Sequence, residues 1–500
     1  MSERDVETYD LIIVGSGSGN SIPDHLRGWR VALVERSTFG GTCLNVGCIP
    51  SKMFVLPADK ALEASHSEKL GIRTTFEGAD WGAIRDRVFG RIDPISAGGR
   101  DYRANGTPDL TLIEGTARLT GEVVDGAHVL DVDGRSIAAR HVLLAAGARP
   151  TSPPIPGLDE VGFHTSDTIM RLESQPEHLG IIGGGFIAVE MGHVFAGLGS
   201  RVTVLNRSDT LLRGFDDDIR RRFVEVFGER VDLRLGHVPE SVVRRDDGGI
   251  AIEHPDGEVV VDEVLVATGR RPNTDLLDVA AAGIECDDDG TVHVDDTMAT
   301  NVAGIWAIGD LTNSYQLKHL ANAEAKIAFW NITHPDDIRH QSYAAVPGAV
   351  FSNPQVATVG LTEAEARAAG LPIRVGRRDY SGTAYGWALV DETSFAKVIV
   401  HADTGMILGG HVLGPQAATL IQPIVQAMQL GTTAACVAHD VFYIHPALTE
   451  VVENALLEAL DDEAGGDQGS ADDVDPSPPD DEARPGLDEE AGGAITGREP

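Results

Sequence analysis

The chain is 500 residues long and carries 77 acidic against 40 basic side chains, a formal net charge of −37. Such a field argues against nucleic acid or an anionic membrane as partner, because both repel it. Hydrophobic content of 42% with 57 glycines fits a globular protein of about three domains, and no run approaches the ~18 apolar residues that a membrane-spanning helix needs.

The N-terminus, Met1 to Asp10, is polar and acidic. It lacks the basic and apolar regions of a signal peptide, so the expected location is cytoplasmic. Tyr9–Val14 reads as a strand running into Gly15-Ser16-Gly17-Ser18-Gly19-Asn20, and a second apolar run, Val31–Val34, closes on Glu35. Strand, glycine turn, helix, strand and acid form a dinucleotide fingerprint. Gly15 and Gly17 would let the backbone approach a pyrophosphate at a helix N-terminus, and Glu35 would accept from a ribose hydroxyl. Asn20 stands where a glycine or alanine is usual, which predicts a helix packed slightly further from its strand.

Next comes Gly40-Gly41-Thr42-Cys43-Leu44-Asn45-Val46-Gly47-Cys48-Ile49-Pro50-Ser51-Lys52. The chain has four cysteines, Cys43, Cys48, Cys286 and Cys436. A close pair in a cytoplasmic protein points to catalysis rather than to a structural bridge. The spacing allows both thiols on one distorted helical turn, bent at Gly47. Half of a metal site is the alternative, but neither remaining cysteine has a Cys or His at ligand spacing, so no metal is expected. Cys286 and Cys436 read as small buried hydrophobes.

The fingerprint grammar recurs further on. Leu179–Ile182 leads into Gly183-Gly184-Gly185-Phe186-Ile187-Ala188, followed by a strand at Arg201–Leu205. One copy is weak; two copies in the same context predict two dinucleotide domains. The second lacks an acid after its second strand, where Asn206 and Arg207 stand, and Arg207 and Arg213 are available to a 2′-phosphate. The first site therefore reads as FAD and the second as NADPH, with solvated surface arginines as the competing view. Val142–Gly147 and Val264–Gly269 read as strands ending in tight turns, Gly147 on the FAD side and Gly269 on the NADPH side. The Thr300–Asp310 segment ends in Gly309-Asp310, which can set a carboxylate against a ribityl hydroxyl. From Tyr343 the pattern changes to short strands (Lys397–Val400, Leu408–Val412) and helices (Thr419–Leu430, Thr449–Ala459) with no glycine fingerprint. From Asp461 the chain is acidic, with few large apolar residues, and is expected to be disordered.

The cysteine segment resembles the signature of the class I pyridine nucleotide–disulfide oxidoreductases. The two fingerprints, the Thr300–Asp310 segment and the ending around His445-Pro446 are similar as well, over roughly residues 8–460. The resemblance implies an α/β, glutathione-reductase-like fold: an FAD domain in two parts (1–150 and 273–342), an NADPH domain (151–272), an α+β dimerisation domain (343–460) and a tail (461–500). It implies a Cys43–Cys48 redox disulfide, with Cys43 attacking the substrate and Cys48 lying against the flavin. Lys52 would pair with Glu190 near the flavin, Asp310 would bind it together with Gly41 and Thr42, and Gly185 and Ala188 would hold NADPH. His445, oriented by Glu450, would serve as acid–base across a homodimer interface. Phe186 falls where some relatives carry a gating tyrosine.

Stretches outside this chemistry, among them Val88–Ile95, His164–Thr168 with Met170-Arg171, and Leu317-Lys318-His319, resemble the members that reduce mycothione, the disulfide of mycothiol. Lipoamide dehydrogenase is the runner-up, and a flavin-bound scaffold with an acidic docking tail is the non-enzyme alternative. Arg100, Tyr102 and Arg103 are the candidates for contacts to a small disulfide substrate.

Overall fold

The computed structural model describes residues 6–461; the predicted acidic tail lies outside the described residues except for Asp461. The first sheet has seven strands. Six of them are β1 (Glu7–Val14), β2 (Val31–Glu35), β3 (Leu110–Glu114), β4 (Ala117–Val124), β5 (Ala127–Val132) and β6 (Arg135–Leu144), in the order β3-β2-β1-β6-β5-β4. The seventh, Ile305–Ala307, pairs in parallel with β6. β1 lies parallel to β2 with Leu11 opposite Val31 and Val14 opposite Val34. Leu11, Ile12, Ile13 and Leu33 are wholly buried, as expected for parallel strands covered on both faces.

A second sheet contains β7 (His178–Ile182), β8 (Arg201–Asn206), β9 (Asp232–Leu235) and β10 (Glu263–Val266), all parallel, in the order β9-β8-β7-β10. The third is a five-stranded antiparallel sheet formed by Gly348–Val350, Val356–Gly360, Ile373–Asp379, Phe395–His401 and Ile407–Leu413.

Eight helices bear on the site. They are α1 (Gly41–Asn45), α2 (Cys48–Ser65), α3 (Trp81–Asp101), α4 (Phe186–Gly197), α5 (Asp217–Phe227), α6 (Lys318–Thr333), α7 (Glu363–Ala368) and α8 (Thr449–Leu460). Phe54 of α2, Trp81 of α3 and Phe195 of α4 pack ring on ring, with centroids 5.0 Å apart for both Phe54–Trp81 and Trp81–Phe195. Each such buried aromatic contributes roughly 1.5–3 kcal/mol, and together they seat α2 against the helix that follows the second glycine turn.

The second fingerprint folds as read, with α4 following its glycines. The first does not. Between β1 and β2 the chain forms only 3₁₀ turns, at Ser18–Asn20 and Asp24–Leu26. Ser21-Ile22-Pro23 accounts for this: proline supplies no amide donor and disfavours helical backbone in the residue before it. Asn20 is consequently not a helix-packing residue. A Cβ on Gly19 would meet Ile13 Cγ2 at 2.8 Å, so Gly19 holds the close-packed place.

A buried charged cluster joins the second sheet to the third. Lys397, 2% exposed, donates to Asp216 at 3.0 Å, Asp218 at 2.6 Å and Glu363 at 2.8 Å. Asp216 caps α5, and Glu363 opens α7.

Candidate active site

The cysteine segment is docked onto the first glycine turn. Gly40 N donates to Ser16 Oγ at 2.8 Å, and Ser16 Oγ donates to Glu35 Oε2 at 2.6 Å. A Cβ on Gly41 would lie 2.8 Å from Gly17 Cα, so the two backbones touch. Buried Asn45 pins the loop by donating to Phe39 O at 2.9 Å and Gly41 O at 3.0 Å. The cysteines do not share one helical turn. Cys43 lies in α1, Cys48 opens α2, and Val46-Gly47 breaks the helix between them.

Both thiols are free. The Cys43 S–H donates to the Cys48 sulfur, which holds Cys48 down at about 7 against the opposing effect of burial, with help from the Lys52 ammonium. The same hydrogen bond, reinforced by burial, pushes the Cys43 thiol up. Both effects favour the negative charge of the reduced pair on Cys48, which stands at the N-terminus of a long helix.

Lys52 Nζ reaches both oxygens of Glu190, at 2.7 and 2.8 Å, and stands 4.8 Å from the centre of the Phe351 ring. Glu190 Oε1 also accepts from Phe351 N at 3.0 Å. One helical turn further along α4, His193 Nε2 lies 2.9 Å from Asp59 Oδ1 on α2. An ion pair and a histidine–carboxylate hydrogen bond therefore fix the register of the cysteine helix on α4.

The cleft beside the cysteines is lined by Gly15, Gly17, Glu35, Gly41, Thr42, Gly147 and Asp310 among others. These residues fit a dinucleotide. Gly15 has φ +108°, and a Cβ there would sit 2.3 Å from Ala145 O, so only glycine makes the turn, whereas Gly17 faces open space. Among the described residues the Asp310 carboxyl hydrogen-bonds no other side chain, and burial pushes its pKa up against the pull of Arg270 and Lys318. Such a carboxyl suits a hydroxyl ligand. Glu35 is already engaged: it accepts from Ser16 N at 2.9 Å and Ser37 N at 2.9 Å, so any ribose hydroxyl shares a carboxylate that also shapes the turn.

The second turn is built alike. Gly183 has φ +131°, with Ala267 O 2.2 Å from the position of a Cβ. Gly185 caps α4, and Ala188 is fully buried. Leu212 N donates to Gly184 O at 2.9 Å, folding the 206–213 loop over the turn, and Gly269 O accepts from Thr151 N at 3.0 Å. Arg207 and Arg213 are exposed, and among the described residues neither has a hydrogen-bond or ion-pair partner. Phe186, 41% exposed, is the first residue of α4.

His445 Nδ1 lies 2.7 Å from Glu450 Oε1, and Glu450 Oε2 accepts from Ala447 N. The imidazole is 72% exposed and is not part of the cysteine cleft of its own chain.

Several expectations are corrected. Arg103 donates from Nε to Asn20 Oδ1 at 2.7 Å and from Nη2 to Asn20 O at 2.9 Å, so it buttresses the first glycine turn. Arg100 is paired with Glu114 at 2.7 Å. Tyr102 is 59% exposed, with the Arg103 guanidinium 5.5 Å from its ring centre. Cys436 is exposed on the short helix Ala434–His439 and Cys286 only half-buried, so neither is the buried hydrophobe expected. Two of the subgroup stretches meet each other: Arg171 Nη2 pairs with Asp93 Oδ1 at 2.7 Å and its guanidinium stacks 3.7 Å from the Phe89 ring centre. They brace α3.

Sequence reasoning missed Glu324 and the place of Lys318. Buried Glu324 accepts from Gly309 N at 2.6 Å, Asn313 Nδ2 at 2.9 Å and the Tyr343 hydroxyl at 3.0 Å, beneath Asp310. Burial pushes its carboxyl up to about 7. Lys318 lines the cysteine cleft; its sequence signal, the Leu317-Lys318-His319 stretch, gave no role.

Comparison with known proteins agrees with this geometry. Residues 9–325 match the family described as Pyridine nucleotide-disulphide oxidoreductase, and residues 346–456 match its dimerisation domain. The chain is 44% identical over 461 residues to a mycothione reductase of Mycobacterium tuberculosis, covering 90% of this chain and 99% of that protein. It is 35% identical over 471 residues to a dihydrolipoyl dehydrogenase of Haloferax volcanii, covering 90% and 97%. Among solved structures, the HOCl-induced flavoprotein disulfide reductase RclA from Escherichia coli superposes with a TM-score of 0.79 at 28% identity, covering 90% of this chain and 99% of that one. A dithiol docked between two dinucleotide turns, together with these matches, makes the chain a member of the pyridine nucleotide–disulfide oxidoreductase family, an FAD flavoprotein that draws on NAD(P)H.

Proposed function

We propose that the protein reduces mycothione to mycothiol in the cytoplasm with electrons from NADPH. The observation that carries the disulfide chemistry is the pair itself: Cys43 on α1 and Cys48 at the head of α2 share one cleft with the first glycine turn. Two further facts support the finer reading: the 44% identity to a mycothione reductase, and the partnerless Arg207 and Arg213 beside a second turn that lacks an acid. The domain boundaries given above belong to the same proposal.

Bound FAD supplies the two-electron relay between the nicotinamide and the cysteine pair. The chain's own residues do the rest. His445 of the partner subunit takes the Cys43 proton, and the Cys43 thiolate attacks one sulfur of the substrate. A mixed disulfide forms, the substrate S–S bond breaks, and His445 returns the proton to the departing thiolate. The Cys48 thiolate then attacks the Cys43 sulfur, which re-forms the internal disulfide and releases the second thiol as its thiolate. Glu450 holds the imidazole for both transfers, and Lys52 with Glu190 keeps Cys48 in place. A homodimer follows from the reading, with the strongly exposed Phe442 and Ile444 beside His445 on the face it would use.

NADPH and NADH oxidation should be measured against mycothione, glutathione disulfide, bis-γ-glutamylcystine and lipoamide. Preferential turnover of mycothione with NADPH is expected. Preferential turnover of lipoamide with the unphosphorylated nicotinamide would replace the proposal with a lipoamide dehydrogenase.

A further inference from the structure

We propose that Lys318 is a second cation of the redox centre, holding the negative charge that reduction leaves on the Cys43–Cys48 pair; the inference rests on the disulfide-reductase reading above. Reduction adds the two electrons and one proton of a nicotinamide hydride. The S–S bond breaks, Cys43 keeps the proton, and one net negative charge stays on Cys48.

Lys52 is the obvious counter-charge, but both Glu190 oxygens already bind it, at 2.7 and 2.8 Å. The two opposite charges work against each other at Cys48, Lys52 lowering its pKa and Glu190 raising it. Lys318 is different. It is the first residue of α6, and its side chain lines the same cleft as Cys43, Cys48, Ser18 and Asp310. Among the described residues no carboxylate is within ion-pair distance of it. Its Nζ donates to Ser18 Oγ at 3.0 Å, and Ser18 Oγ donates in turn to Asn322 Oδ1, one turn along α6, at 3.1 Å. The ammonium is thus held in place by neutral groups, with its charge uncommitted.

The charged and titratable groups facing the centre are Cys43 on α1, Cys48 and Lys52 on α2, Glu190 on α4, Asp310 beside the cleft, and Arg270 facing Asp310. Burial lowers the Lys318 pKa, and Cys43, Cys48 and Asp310 are the groups that oppose it. A half-buried ammonium that forms no ion pair is costly unless a further negative charge arrives beside it. Here it arrives with each reduction.

The test uses holoenzyme reduced anaerobically by two electrons, with the pH midpoint of the long-wavelength thiolate absorbance as readout. Lys318→Met should raise that midpoint by about one pH unit, within the span expected for one nearby opposite charge. Lys318→Arg should leave it near wild type, and FAD content should not change in either variant. If Lys318→Met does not fold, Lys318→Gln drops the charge and carries the same test. A wild-type midpoint in the neutral variant overturns the inference. So does loss of FAD from the neutral variant with an unshifted midpoint in what remains, which would assign the lysine to dinucleotide binding. A wild-type enzyme that reduces no disulfide refutes the functional reading itself, whereas an active wild type with an unshifted variant refutes this inference alone.

Discussion

His445→Gln isolates the step that the proposed mechanism assigns to the partner subunit. In its own subunit the imidazole is outside the cysteine cleft and 72% exposed. Glu450 holds Nδ1 at 2.7 Å, which leaves Nε2 facing outward. The glutamine keeps a polar side chain but cannot carry a proton between Cys43 and the leaving thiolate. Loss of a positioned acid–base costs on the order of 10²–10⁴ in turnover. Reduction of the enzyme by NADPH, which needs no histidine, should stay close to wild type, so stopped-flow measurement of the two half-reactions separates chemistry from folding. Subunit mixing then gives the geometry. Cys43→Ser and His445→Gln chains are each inactive, and random pairing makes about half of the dimers mixed, each with one intact site in two, for about a quarter of wild-type activity. A histidine acting within its own chain would restore nothing, because every site would still lack one partner. No recovery in tagged, verified hybrids refutes the shared-site argument, and near-normal turnover by His445→Gln refutes the acid–base role.

The paired change Arg207→Ala with Arg213→Ala should raise KM for NADPH far more than KM for NADH; equal losses would assign both arginines to solvent. Lys397→Met leaves three carboxylates without their buried cation and should cost about 3–5 kcal/mol at neutral pH. Asp216, Asp218 and Glu363 all have depressed pKa values in the fold. Their contribution is therefore present above about pH 4.5 and is lost as pH falls through the still lower folded values. The gap in melting temperature between variant and wild type should narrow toward pH 4, and a gap independent of pH would argue against an ionic origin. Glu324 has the opposite sign: a folded value of about 7 favours the fold most below the ordinary carboxyl range, and the benefit is lost as pH rises to about 7. Glu324→Gln should flatten that slope, worth roughly 3 kcal/mol between pH 4.5 and 7, in melts across the range; an unchanged slope would place the titration elsewhere.

The parts legible in sequence were those encoded locally. Gly183 to Ala188 is followed at once by an uninterrupted apolar helix, so turn and helix were both read correctly. Around Gly15 the same rule failed because Pro23 was outweighed by the glycine spacing. Lys52 and Glu190 could be paired only through resemblance, since 138 positions separate them. Arg103 looked free for the same reason: its partner Asn20 is 83 residues away, and no local pattern reports such a contact. Glu324 was hidden inside a helix whose neighbours are apolar. Its protonation behaviour comes from burial, which only the packed fold supplies.

Glu190 has a further consequence. Its carboxylate ties its own helix in the second fold to a lysine of the cysteine helix and to the backbone of Phe351, just past the first strand of the third sheet. A hinge between the two nucleotide folds would have to pull this joint apart and strand a buried charge, and His193 with Asp59 bolts the same seam a turn further on. The seam therefore resists a clamshell opening of one nucleotide fold against the other. Phe186, 41% exposed as the first residue of α4, stands beside the second turn on the far side of that joint.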